Sequence, residues 1–494
     1  MIRIKKRFLS GFTAVSALFI AAFIIITICS KCSPLYPLND WDDANCFFTV
    51  GKSMMNGRIL YKDIFEQKGP ILYMLHGAAW IISHNSFLGI YLAEVISCFF
   101  YLYYSYKTIK LFRQDKTFMA AVIPMAAFVY TSLSFCSGDS AEEWCLPMLS
   151  FMVYTAIERV KNNKLLNMKQ MVLCGICAGL ILWIKFTMLG FVIGFAAAFV
   201  VLYLRKKEYK HILFCSIAMI TGIIVSSLPV IIYFSVYDSF GYLWEVYFYD
   251  NMFLYSTGES LPPIIKQTAN LLSGLLSFAA YNTFGFLTLI AGVYILIKMQ
   301  NKTLLFVFLF IVICGFFFSF VGGRAYAYYS LSMSVFSPVG MIFITDCVRR
   351  FIKKKNIKAS AGKIRNIVCI ICIPAAFLMC RNTYLMFTNQ EDMPQFRFNK
   401  IISAKKEVTL LNYGFLDGGF YTVSGIVPEC RAFCGLNIEL EELKETQDKY
   451  IQEKRADFIV TKDKCPVFKG YSCIDKCDFV YWTQTSTYYL YSKN

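Results

Sequence analysis

The chain has 494 residues, 57% of them hydrophobic and only 16% charged, with a formal net charge of +17. So large an apolar share excludes an ordinary soluble protein, and most of the chain must face lipid. Nor does the basicity describe a nucleic-acid binder, because the Lys and Arg residues gather in short clusters between apolar runs, the pattern of loops retained on the cytoplasmic side of a membrane.

Taken in chain order, the apolar runs fall near 9–29, 87–106, 118–136, 144–158, 171–184, 188–204, 212–235, 281–298, 303–321, 328–346 and 366–387. Most are long enough to cross a hydrocarbon core of about 30 Å at 1.5 Å per residue, and backbone groups in hydrocarbon must bond within their own segment, so helices are predicted. The clusters Arg3 to Arg7, Lys107 to Lys116, Arg159 to Lys169, Arg205 to Lys210, Lys298 to Lys302 and Arg349 to Arg365 are set inside. The expected fold is thus an α-helical polytopic membrane protein of about eleven spans in the cytoplasmic membrane, with the N-terminus cytoplasmic and the C-terminus extracytoplasmic. MIRIKKRF leads into the first run without a convincing cleavage site, so that run is expected to stay as a span. Residues 70–84 are apolar but short, and counting them as a crossing would turn Lys107 to Lys116 outward; a helix lying at the outer interface is expected instead.

Three long outer regions follow from this alternation: 30–86, 236–280 and everything after 388. The last reads as a small α/β domain, with strands over 407–413 and 457–463, a helix over 439–456 and a hairpin over 478–492. The expected division is a membrane domain over 1–387 and an extracytoplasmic domain over 388–494.

The first outer loop holds Asp40, Asp42, Asp43, Asp63, Glu66 and Lys68 beside lipid. The short loop SGDSAEE (137–143) brings Asp139, Glu142 and Glu143 to the same side, and Gly-Gly-Arg (322–324) brings Arg324. Taken singly, such carboxylates are usually solvated loop residues. Together with cations they suit transfer from a lipid-linked phosphate donor, since a carboxylate takes a proton from an attacking hydroxyl and Lys or Arg holds the departing phosphate.

Asp43 with Phe47, Gly51, Gly57, Tyr61, Asp63 and Glu66-Gln67-Lys68-Gly69-Pro70 resembles the first outer loop of GT-C-type membrane glycosyltransferases. The nearest branch contains protein O-mannosyltransferases, aminoarabinose transferases of lipid A and bacterial cell-surface polysaccharide enzymes. SGDSAEEW, GGRAYAYY (322–329), GFLDGGFYTVSGIVPECRAF (414–433) and DFIV (457–460) are similar to further signatures. The resemblance implies a bundle of spans, interfacial helices around an outer cavity, a polyprenyl-phosphate sugar as donor and a cell-envelope acceptor. Position by position it implies Asp43 as the catalytic acid with Asp42 as the alternative, Lys68 near the donor phosphate, Glu66 and Asp63 beside it, and Asp139, Glu142 and Glu143 as the second acidic loop. The chain departs from the pattern in the spacing of Glu66 to Pro70 and in lacking a His before Tyr329, which weakens any role for Arg324.

The expected activity is therefore transfer of a sugar from a polyprenyl-phosphate carrier to a hydroxyl acceptor outside the membrane, with Lys68 and Arg324 on the phosphate. A transporter or flippase of lipid-linked saccharides is the alternative, although it would place more charges within spans. The three histidines are too scattered for a metal site, no cofactor is implied, and a divalent metal stays open. Lys185, between two spans, is expected to be an exposed anchor. The Cys430–Cys434 and Cys473–Cys477 spacings suit disulfides or free thiols better than zinc.

Overall fold

The computed structural model describes residues 2–113, 119–254, 263–355, 361–438, 440–481 and 484–494. The helices of the N-terminal half are α1 (Ile2–Cys29), α2 (Asp42–Met55), α3 (Pro70–Ile82), α4 (Leu88–Phe112), α5 (Met119–Tyr130), α6 (Ala141–Lys161), α7 (Met168–Ile184), α8 (Leu189–Arg205) and α9 (Tyr209–Val236). A single turn α10 (Phe240–Tyr242) leads into a π-helix over Leu243–Leu254. There follow α11 (Pro263–Tyr281), α12 (Thr283–Lys298), α13 (Lys302–Phe320), a 3₁₀ helix over Ala327–Phe336, α14 (Ser337–Lys354) and α15 (Ala361–Met379). The tail adds α16 (Pro394–Ile402), α17 (Phe420–Ser424) and α18 (Glu441–Gln452), with strands β1 (Leu410–Asn412), β2 (Phe458–Lys462), β3 (Tyr471–Tyr481) and β4 (Gln484–Lys493).

Each of the eleven apolar runs contains a helix, and residues 70–82 of the short segment are helical too. By length and composition alone, five described helical segments can cross a membrane: Leu88–Phe112, Phe186–Arg205, Tyr209–Val236, Lys302–Phe320 and Ala327–Phe351. Two bent pairs raise this to seven, Ile264–Tyr281 with Thr283–Lys298 at 104° and Ile370–Met379 with Arg381–Phe387 at 79°. This gives five to seven candidate spans among the described residues, beside the eleven apolar runs expected to cross. Shorter apolar helices over Ala14–Cys29, Ala121–Tyr130 and Met168–Ile184 occupy three of the other runs, and the fourth, 144–158, lies in α6.

The chain divides into two compact units. The first comprises Met1–Cys29, Ala93–Pro229 and Gly258–Arg381. Its helices begin where side chains relieve the free N–H groups: Ser140 caps α6, Asn167 caps α7, Asn282 caps α12 and Asn301 caps α13. Small residues set how closely its helices cross. A Cβ added at Gly175 would lie 2.1 Å from Met219 O, and one at Gly222 would lie 2.1 Å from Val172 O, so α7 and α9 touch backbone to backbone. On α9, Leu213, Phe214, Ile217, Ile220 and Ile224 are exposed at helical spacing. In a chain of this apolar composition, lipid covers such a stripe at low cost.

The second unit comprises Ser30–Leu92, Val230–Thr257 and Asn382–Asn494. Its sheet has the order β1-β2-β4-β3, with β1 and β2 parallel and the remaining pairs antiparallel. The expected strands, helix and hairpin of the tail are all present. Gln447 on α18 binds the carbonyls of Asn412 and Ala432 at 3.1 and 2.9 Å, while Leu443, Tyr450 and Ile451 are buried on the same face. Residues 42–55, taken as open loop in the sequence, form a helix whose positions 43–53 are all buried. That burial is what makes the mixed-polarity segment helical.

Candidate functional site

In the second unit, Asp42 and Asp43 occupy the first turn of α2, where the helix dipole favours negative charge. Asp40 lies just outside and is committed elsewhere, since its Oδ1 accepts from buried Lys31 Nζ at 2.6 Å. Asp43 is 7% exposed. The Asp42 carboxyl is pushed up to about 7 by burial, opposed by the charge of Lys462 and reinforced by Asp43, Asp417 and Asp40.

Lys68 is held by its backbone as well as its charge. Its N–H donates to Glu66 Oε2 at 3.0 Å and to Tyr73 OH at 2.8 Å, and its carbonyl accepts from Tyr61 OH at 2.5 Å. The ammonium stands 3.9 Å from Glu66 Oε1 and 5.7 Å from the centre of the Phe47 ring. Phe47 follows Asp43 by one helical turn, so the cation lies over the face of α2 that carries Asp43. Burial raises the Glu66 carboxyl, with Lys68 opposing and Asp43 reinforcing. Asp43, Glu66 and Lys68 are thereby brought together. Asp63 is not part of this group: its Oδ2 accepts from Ile59 N at 2.9 Å and shapes the turn before it.

The tail segment 412–426 locks α2 in place. Asp417 accepts from Thr49 Oγ1 at 2.6 Å, Asn412 Nδ2 at 3.1 Å and Gly419 N at 3.0 Å. Lys52, wholly buried, donates to Tyr421 O at 2.7 Å and Ile426 O at 2.6 Å. Thr422 Oγ1 adds a bond to Asn45 Oδ1 at 2.8 Å.

In the first unit the second acidic loop is equally dry. Asp139 N donates to Glu94 Oε1 and to Glu143 Oε2, both at 2.9 Å, and Trp144 Nε1 donates to Asp139 Oδ1 at 3.0 Å. Glu142 forms an ion pair with Lys185, whose Nζ sits 3.8 Å from the centre of the Tyr329 ring. Tyr326 stacks on Tyr328 at 5.5 Å and accepts from Arg324 Nη1 at 2.9 Å. Lys185 is thus no exposed anchor; it is 8% exposed, because an ion pair and a ring face take up its charge. Among the described residues no group of His, Cys, Asp and Glu could hold a metal ion.

No family model and no curated protein matches the sequence. The fold does match a solved one: the crystal structure of ArnT from Cupriavidus metallidurans bound to undecaprenyl phosphate aligns over 97% of both chains with a TM-score of 0.61, at 9% identity. The chain has the GT-C glycosyltransferase fold. Identity this low speaks for the architecture alone.

Within this GT-C architecture, the first-loop residues Asp42, Asp43, Glu66 and Lys68 belong to one unit, while Asp139, Glu142, Glu143 and Arg324 belong to the other. Two participants, Glu94 and Lys52, went unread in the sequence, and a third, Lys185, was read only as an exposed anchor. Glu94 was legible as an ionisable residue inside an apolar run, a rare and informative placement. Lys185 carried a weaker signal of the same kind at a span end. Lys52 carried none, since a lysine in a polar loop is ordinary.

Proposed function

We infer that this protein is a membrane glycosyltransferase that moves a sugar from a polyprenyl-phosphate carrier to a hydroxyl acceptor on the outer face of the cytoplasmic membrane. The observation that carries this reading is the Asp43–Glu66–Lys68 group on a GT-C scaffold, a fold that in ArnT accommodates undecaprenyl phosphate.

The acceptor oxygen attacks the anomeric carbon as the bond from that carbon to the phosphate oxygen breaks, and the phosphate leaves with the electron pair. Asp43 takes the acceptor's proton, and Lys68 binds the phosphate as charge gathers on it. Glu66 keeps the lysine ammonium oriented. Asp42 is the second candidate for base, because a carboxyl pushed up to about 7 is well matched to proton transfer near neutral pH. Arg324 and the acidic group Asp139, Glu142 and Glu143 are proposed as supporting residues, each to be tested by its own variant.

The deciding assay uses a radiolabelled polyprenyl-phosphate sugar in membranes. Asp43→Asn keeps the shape but not the basicity, so turnover is expected to fall by about 10²–10⁴ with donor binding retained. Lys68→Ala should weaken donor binding and turnover together. A dead Asp42→Asn beside a working Asp43→Asn would give the base role to Asp42, and normal turnover in both would remove the proposal. A flippase, the rival, would carry the label across the membrane still attached to its lipid.

A further inference from the structure

The side of α2 that meets the tail carries Cys46, whose Sγ lies 3.8 Å from the Sγ of Cys434. The two residues are 1% and 2% exposed. Their meeting is fixed from both sides. Along α2, Thr49 and Lys52 bind Asp417 and the carbonyls of Tyr421 and Ile426. Beyond Cys434's own segment, Phe65 N donates to Arg431 O at 3.0 Å and Arg58 Nη2 to Glu429 O at 2.5 Å. An S–S bond is about 2.05 Å long, so the sulfurs need to close by less than about 2 Å, within reach of small side-chain rotations.

We propose that Cys46 and Cys434 form a disulfide that staples the helix bearing Asp42 and Asp43 to the tail. The proposal rests on the placement of both segments outside the cytoplasm, where thiols oxidise; in a reducing cytosol the pair would stay open. The oxidant is the disulfide of an extracytoplasmic thiol–disulfide oxidoreductase. One cysteine thiolate attacks it, forming a mixed disulfide and releasing one oxidant thiolate. The second cysteine thiolate then displaces the other oxidant sulfur, so two protons and two electrons leave the pair and the oxidant ends as a dithiol. Burial raises both thiols, which disfavours thiolate in the finished fold. The bond is therefore made while the tail docks, and is shielded from reductants afterwards.

The test uses the full-length protein in native membranes. Unreduced samples are alkylated with N-ethylmaleimide in SDS, digested and analysed by mass spectrometry. The peptides bearing Cys46 and Cys434 are expected to be recovered joined, two hydrogens lighter than their sum, and Cys46→Ala should leave Cys434 alkylated. Recovery of both cysteines as maleimide adducts, or of Cys430 as the partner of either, overturns the proposal. A parallel arm labels Lys444→Cys on intact spheroplasts with a membrane-impermeant maleimide. Labelling there with Cys46 and Cys434 alkylated sinks only the disulfide; no labelling until the membrane is opened sinks the tail placement and the disulfide with it.

Discussion

Lys52 gives its buried ammonium to the carbonyls of Tyr421 and Ile426, and burial lowers it from 10.5 to about 7, with Asp417 opposing. Between these values the folded chain binds fewer protons than the unfolded one, so the lysine's contribution to stability grows as pH rises through that window and is smallest below pH 7. The thermal midpoint of the detergent-purified protein should therefore rise from pH 7 towards pH 10 relative to Lys52→Met. That variant should also be less stable throughout, since Ile426 O loses its ammonium donor at a cost of about 1–3 kcal/mol, while Tyr421 O keeps its bond from Gly425 N at 3.1 Å. Asp42 offers a second test at this scale. Its carboxyl faces Asp43 on its own helix, Asp40 before it, Asp417 from the tail and Lys462 from β2. Removing the one favouring charge, in Lys462→Met, should push Asp42 above about 7 and move the acid limb of donor turnover to higher pH. An unmoved limb would show that Asp42 does not titrate in the reaction.

Among the elements, the π-helix over Leu243–Leu254 has no trace in the sequence pattern. Its Asn251 Nδ2 donates to Gln67 O at 2.7 Å as well as to Val246 O and Tyr247 O, so it pins the turn that presents Lys68. Asn251→Ala should raise the KM for donor several-fold while leaving kcat less affected, because it loosens a binding group and removes no reacting one. Unchanged kinetics would demote the contact to structure. Helix α2 was also hidden. DDANCFFTVGKSMM shows neither a clean apolar stripe nor a cap, and its helix is selected by burial of residues 43–53 in tertiary contacts. The tail strands, by contrast, alternate and end in turn residues; β1, β2 and β4 were readable within a few residues of their observed ends, while β3 begins at Tyr471, well before the hairpin expected over 478–492. At the crossing of α7 and α9, Gly222→Leu should collapse expression, since its Cβ would press on Val172 O.

For the whole molecule, the basic clusters predict that the tail after 388 is extracytoplasmic, and protease added to intact spheroplasts should cut it. A tail protected until the membrane is opened would reverse the topology and move the proposed reaction to the other face. The sequence by itself determined the membrane class, the helical runs and the acid and lysine residues at issue, because hydropathy and charge act locally and leave their period in the chain. Only the tertiary structure decided which of these residues meet. Asp40 is spent on Lys31, Asp63 on its own turn and Lys185 on Glu142, while Asp43, Glu66 and Lys68 share one place. The bonds that set this, such as Lys52 to the carbonyls of Tyr421 and Ile426, join segments far apart in the chain through backbone oxygens that every residue carries. An acceptor without a side-chain identity leaves nothing in the sequence to read, so folding alone reveals it.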